Sequence, residues 1–162
     1  AALISKNSCY IRLTGTANNK IINNNDYDFK IGKSIKLKDG EDITIFCNGA
    51  IIGECLKASE LFDEKGLSCK VVNMHTIKPI DEEAIANSLN SKIIITVEEH
   101  NKIGGLGSAV SEVITKYNLN TKFDSIALED VYSSVVGSQE YLRKYYKLDS
   151  NSIFERAIAL LK

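Results

Sequence analysis

From Ile35 onward, short β-branched and apolar runs alternate with longer stretches of helical period. A chain with that rhythm and short connections folds as strands crossed over by helices. Ile35–Leu37 and Asp42–Cys47 read as strands joined by the turn Lys38-Asp39-Gly40. Ala50 to Lys65 follows as a helix with Ile51, Ile52, Cys55, Ala58, Leu61 and Phe62 on one face, stopped at Gly66. Cys69 to Met74 is the next strand. Asp81 then caps a helix from Glu82 to Leu89, with Ile80 and Ile85 spaced to staple it. Lys92 to Val97 is apolar enough to be buried on both faces of a sheet. A helix through Tyr117, a strand from Phe123 to Leu128, and helices over Ser138–Tyr146 and Ser150–Leu161 complete the pattern. The expected fold is α/β, a three-layer, mostly parallel twisted sheet with helices on both faces.

Upstream, Cys9 to Leu13 reads as a further short strand. Five of the eight residues from Asn18 to Asn25 are Asn, followed by Asp26, Tyr27 and Asp28. Such residues favour turns and local side-chain bonds to backbone. The stretch is a linker, with a domain boundary placed between residues 16 and 31.

Twenty basic residues face twenty-one acidic ones, for a formal charge of -1. That balance supplies no electrostatic footprint for nucleic acid or an anionic membrane. No apolar run is long enough to span a bilayer. The four cysteines (Cys9, Cys47, Cys55, Cys69) form no Cys-x-x-Cys pair, which disfavours metal and dithiol chemistry. They are expected as buried, reduced thiols of a cytoplasmic protein.

The segment from Val97 to Val110 carries the strongest chemical hint. It leaves a strand, passes Gly104, Gly105 and Gly107, and opens a helix, whose free amides can cradle an anion. As a dinucleotide fingerprint it fails at Val110, where Gly or Ala is wanted. A tight structural turn is the favoured reading, with an interface or ligand-contact loop next and a nucleotide site last. His75 and His100 are expected just beyond strand ends, where parallel sheets place functional loops. His100 with Glu98 and Glu99 can move protons, yet hydrogen bonding that fixes a loop is the commoner role. Lys78 can bind an anion or simply be solvated. No nucleophile elbow, P-loop or zinc-protease motif occurs.

Three strings, CYIRLTG (9–15), VVNMHTIKPIDEEAI (71–85) and TVEEHNKIGGLGSAV (96–110), resemble landmarks of the transketolase-like enzymes in their order and separation. The resemblance implies that residues 1–24 are the tail of a preceding pyrimidine-binding domain plus linker, and that 25–162 form the C-terminal domain. It implies a parent enzyme that transfers a two-carbon ketol unit between sugars, with thiamine diphosphate and magnesium between its first two domains. No catalytic, cofactor-binding or metal residue is carried over to this chain. Glu99, His100, Gly104, Gly105, Gly107 and His75 remain as a possible interface or ligand loop. The partners implied are the upstream domains, or a separate N-terminal subunit, within a homodimeric parent. Family members carry an Arg three residues past the one matching Arg12 to hold a substrate phosphate; here Gly15 stands there. The alternative outside this family is a free-standing regulatory or anion-binding module.

Overall fold

The computed structural model describes residues 2–11, 22, 27–118 and 120–162. Its core is a five-stranded sheet of β1 (Ile35–Lys38), β2 (Ile43–Cys47), β3 (Cys69–Asn73), β4 (Ile93–Asn101) and β5 (Lys122–Leu128). The spatial order is β1-β3-β2-β4-β5, all parallel except β1, which runs antiparallel to β3. The helices are α1 (Ile52–Asp63), α2 (Glu82–Ala86), α3 (Leu106–Lys116), α4 (Gln139–Tyr145) and α5 (Ser150–Leu161).

Alternate side chains of the central strands face opposite layers. Ile43, Ile45, Cys47, Ile93, Ile95 and Val97 pack under α1 and α5 with Cys55, Phe62 and Ile153. Phe46, Val72 and Ile94 pack on the other face with Ile85 of α2 and Leu106 and Val110 of α3. Because both faces are covered, every residue of β2 is buried, and its one polar side chain, Thr44, meets Ser91 Oγ at 2.7 Å.

Four expectations need correction. β1 and β2 do not pair; β1 lies on the far side of β3, and the connection between them crosses the start of β3, with Gly40 against the Cys69 backbone. Lys36 and Lys38 suit β1 to an edge, whereas the mainly apolar β2 is driven to the centre. β4 does not end at Val97 but continues through a register shift to Asn101, which pairs with Leu128. His100 is therefore part of an extended strand. Residues 9–11 form no strand, since no described strand lies beside them to complete a ladder; Arg12, Leu13 and Gly15 lie outside the described residues. Cys9 is exposed, while Cys47, Cys55 and Cys69 are buried and unpaired in disulfides. Burial pushes the Cys69 thiol up to about 12, so that cysteine is a packing residue.

The residue just before β1 is fastened to the start of α2. The Ser34 amide and hydroxyl both donate to Asp81 Oδ2 (2.7 and 3.0 Å), while Asp81 Oδ1 accepts from the Ala84 amide to cap α2.

Candidate functional site

The glycine turn that invites an anion is already filled. Glu98 leaves β4 on the side facing the first turn of α3 and is 2% exposed. Its Oε2 accepts from the Leu106 amide (2.8 Å) and its Oε1 from the Gly107 amide (2.9 Å). These are two of the amides that a helix start leaves without intrahelical partners. The positive end of the helix adds a further attraction for the charge. Gly105 and Gly107 are needed by this close approach. A Cβ at 105 would fall on the Glu98 carboxylate, and one at 107 on the Ser125 hydroxyl. Gly104 sits on the exposed side of the turn, its amide donating to Ser108 Oγ (2.9 Å). The glycines expected at an interface or ligand loop thus serve internal packing at 105 and 107, leaving His100, Ile103 and Gly104 as the exposed rim.

Glu99, the next residue, points elsewhere. Its Oε1 accepts from Arg143 Nε of α4 at 2.6 Å, and Arg143 Nη2 donates to the carbonyl of Ala50 at 3.0 Å. Gln139 Nε2 adds a longer bond to the same carboxylate (3.3 Å). Ala50 follows β2 and Glu99 belongs to β4, so the guanidinium bridges the carboxyl ends of two neighbouring strands. Chain order diverges between these strands, β3 lying on one side of β2 and β4 on the other. Open α/β sheets bind ligands in the crevice at such a point. Here the protein's own ion pair spans it, with the Arg143 side chain 14% exposed.

The two histidines do not converge. His75 follows β3 and His100 lies in β4, with β2 between them, so the strands are roughly 10 Å apart. The His75 ring packs on Phe29 (centroids 4.4 Å apart), and its Nδ1 bonds Thr76 Oγ1 (2.9 Å). Burial holds its pKa below the ordinary histidine value. Its Nε2 is buried without a partner among the described residues. His100 is exposed and bonds only the adjacent Asn101 carbonyl through Nδ1 (3.1 Å). Lys78 is exposed. Among the described residues, neither histidine has a nucleophile and an orienting group in reach.

A diphosphate with its divalent metal does not fit the donor set of the described residues. The helix-start amides that would receive the phosphate already hold Glu98. Among the described residues, no three His, Cys, Asp or Glu side chains are grouped to ligate a cation.

Two features went unread in the sequence. Arg143 carries no local signal, because its partners lie 44 and 93 residues away. The tyrosines left a visible one: Tyr132, Tyr141, Tyr145 and Tyr146 are four of the chain's seven, crowded into one segment.

Residues 32–153 match the family model of the transketolase C-terminal domain. A protein of Methanocaldococcus jannaschii named as a transketolase C-terminal section is 43% identical over 159 residues, covering 97% of this chain and 49% of that one. One of the subunits of an apulose-4-phosphate transketolase from Actinobacillus succinogenes is 35% identical over 93% of this chain and 49% of its own length. A split-gene transketolase, solved as an inactive beta4 tetramer, superposes with a TM-score of 0.80 at 29% identity, over 88% of this chain and 48% of that one. The chain spans about half the length of the curated relatives it matches.

Proposed function

Because the chain belongs to the family of transketolase C-terminal domains, we propose that it is the assembly domain of a transketolase-type enzyme, contributing no catalytic group of its own. The parent transfers a two-carbon ketol unit between sugars, in the cytoplasm and as a homodimer. Thiamine diphosphate and magnesium are held by its other domains, in the same polypeptide or in a separate N-terminal subunit. Residues 1–24 close the preceding domain, and 25–162 form the C-terminal one.

The observation that carries this reading is the Glu98 carboxylate seated on the Leu106 and Gly107 amides. It turns the one motif that looked like an anion site into a structural joint. The Glu99–Arg143 pair across the sheet's carboxyl end supports the same reading. The exposed rim of His100, Ile103 and Gly104 is then available for contact with the rest of the enzyme.

Gly15, in place of the expected phosphate-binding Arg, supports altered sugar choice in the parent. A guanidinium makes paired, charge-assisted bonds to phosphate that a backbone amide cannot replace.

Titration calorimetry of the chain with thiamine diphosphate and magnesium should show no binding heat. Mixing the chain with the cofactor-binding half should restore ketol transfer from a ketose donor. Micromolar cofactor affinity for the chain alone would sink the reading.

A further inference from the structure

Between the loop that joins β3 to α2 and the flank of α3 lies a groove of about 410 Å³. That volume is within the range of about 300–1,000 Å³ in which proteins hold small ligands. Its floor is apolar, with Ile77 and Ile80 coming from the loop and Val113 from α3. The walls are set before anything enters. Gly32 lies against the Pro79 ring, where a Cβ would stand 3.1 Å from Cγ. Asp81, at the end of the loop, is fixed by Ser34 and by the Ala84 amide. Val113 is buried and belongs to the core beneath α3.

Four charged side chains stand around this floor. Lys116 Nζ donates to Glu82 Oε2 at 2.7 Å, so those two charges cancel. Lys78, on the loop wall, and Glu112, on the helix wall, are both exposed. Neither enters an ion pair among the described residues. The groove therefore offers one uncommitted cation and one uncommitted anion, on opposite walls of an apolar floor.

We propose that this groove binds a free α-amino acid with an apolar side chain. Its carboxylate lies on Lys78, its ammonium on Glu112, and its side chain on Ile77, Ile80 and Val113. A zwitterion satisfies both uncommitted charges at once, whereas a simple anion suits Lys78 but is repelled by Glu112. A simple cation has the reverse difficulty. Lys78 and Glu112 are long side chains, so their heads can close on two substituents of one carbon. A protein surface is a poorer occupant. The centre of a protein interface is depleted in charge, and covering the groove would take Lys78 and Glu112 out of water without partners. The site is separate from ketol transfer and does not depend on the assembly role.

The test is an NMR titration of the 162-residue chain with L-leucine, following the methyl resonances of Ile77, Ile80 and Val113. These should shift and saturate with a Kd of about millimolar or tighter. Two probes each lack one charge: 4-methylpentanoate has no ammonium and isopentylamine no carboxylate. Each should bind about tenfold more weakly or worse, as expected for the loss of a charge-assisted bond. Lys78→Gln should weaken leucine by a similar factor and leave isopentylamine unchanged. Glu112→Gln should weaken leucine and leave 4-methylpentanoate unchanged. Both side chains are exposed, so urea midpoints should not move. Absence of saturable shifts, shifts confined to other methyls, or equal binding by both variants overturns the proposal. Equal affinity for 4-methylpentanoate overturns it too, since the groove would then be a plain carboxylate site. So does loss of leucine binding when the cofactor-binding half is added, because that half would be the occupant. None of these outcomes bears on restoration of ketol transfer, so the two readings fail separately.

Discussion

The Glu98 carboxylate has given up nearly all its water for two amide donors, an exchange that is favourable only while both bonds are kept. Glu98→Gln turns one acceptor into a donor facing an amide. Losing a hydrogen bond to a charged group costs about 1.5–3 kcal/mol, and urea unfolding should register a destabilisation of about 2 kcal/mol. Gly105→Ala should act through the same contact, because its methyl displaces the carboxylate. In a double-mutant cycle the two losses should therefore be less than additive. Full additivity would mean that the carboxylate does not hold the turn. The sequence makes the helix start and its glycines plain, because glycine spacing is local. It does not reveal the occupant of the amides, since that depends on β4 continuing beyond the apolar run that defines it.

At the scale of elements, Asp42 gathers the amino ends of three strands. Its carboxylate accepts from the amide and hydroxyl of Ser68 (both 2.8 Å) and pairs with Lys92 Nζ at 2.8 Å. The Lys92 ammonium first, and then the Ser68 donors, lower the Asp42 pKa from 3.8 to about 2. A carboxyl depressed by folding stabilises the fold fully above its unfolded value and loses that contribution as pH falls towards the folded one. Stability should thus decline as pH drops from about 4 to about 2, and Asp42→Asn should flatten that decline in urea midpoints. An equally steep wild type and variant would place the acid sensitivity at other carboxylates. The alternation of strands and helices was legible because burial on two faces leaves a mainly apolar run in β2 and in Ile93 to Val97 of β4. The pairing order was not. Whether β1 folds back on β2 or crosses to β3 depends on competition for the sheet's centre, which no window around the Lys38–Gly40 turn contains.

Across the whole molecule, the first described residues are the least buried. Ile4, Tyr10 and Ile11 are 87%, 90% and 65% exposed, and no described strand pairs with them. Hydrogen exchange should find the amides of residues 2–11 nearly unprotected and those of Ile93 to Val97 the slowest. Comparable protection in the two stretches would put residues 2–11 inside this domain and move the boundary upstream. The other end of the sheet has the opposite character. A phosphate or carboxylate arriving in solution at the α3 amides meets a competitor only eight residues away along the chain. Tethering at that range gives an effective concentration of at least about millimolar, and the rival also arrives already stripped of water. A free anion at lower concentration will therefore seldom win the position, so this domain carries, in effect, its own permanently bound inhibitor of anion binding.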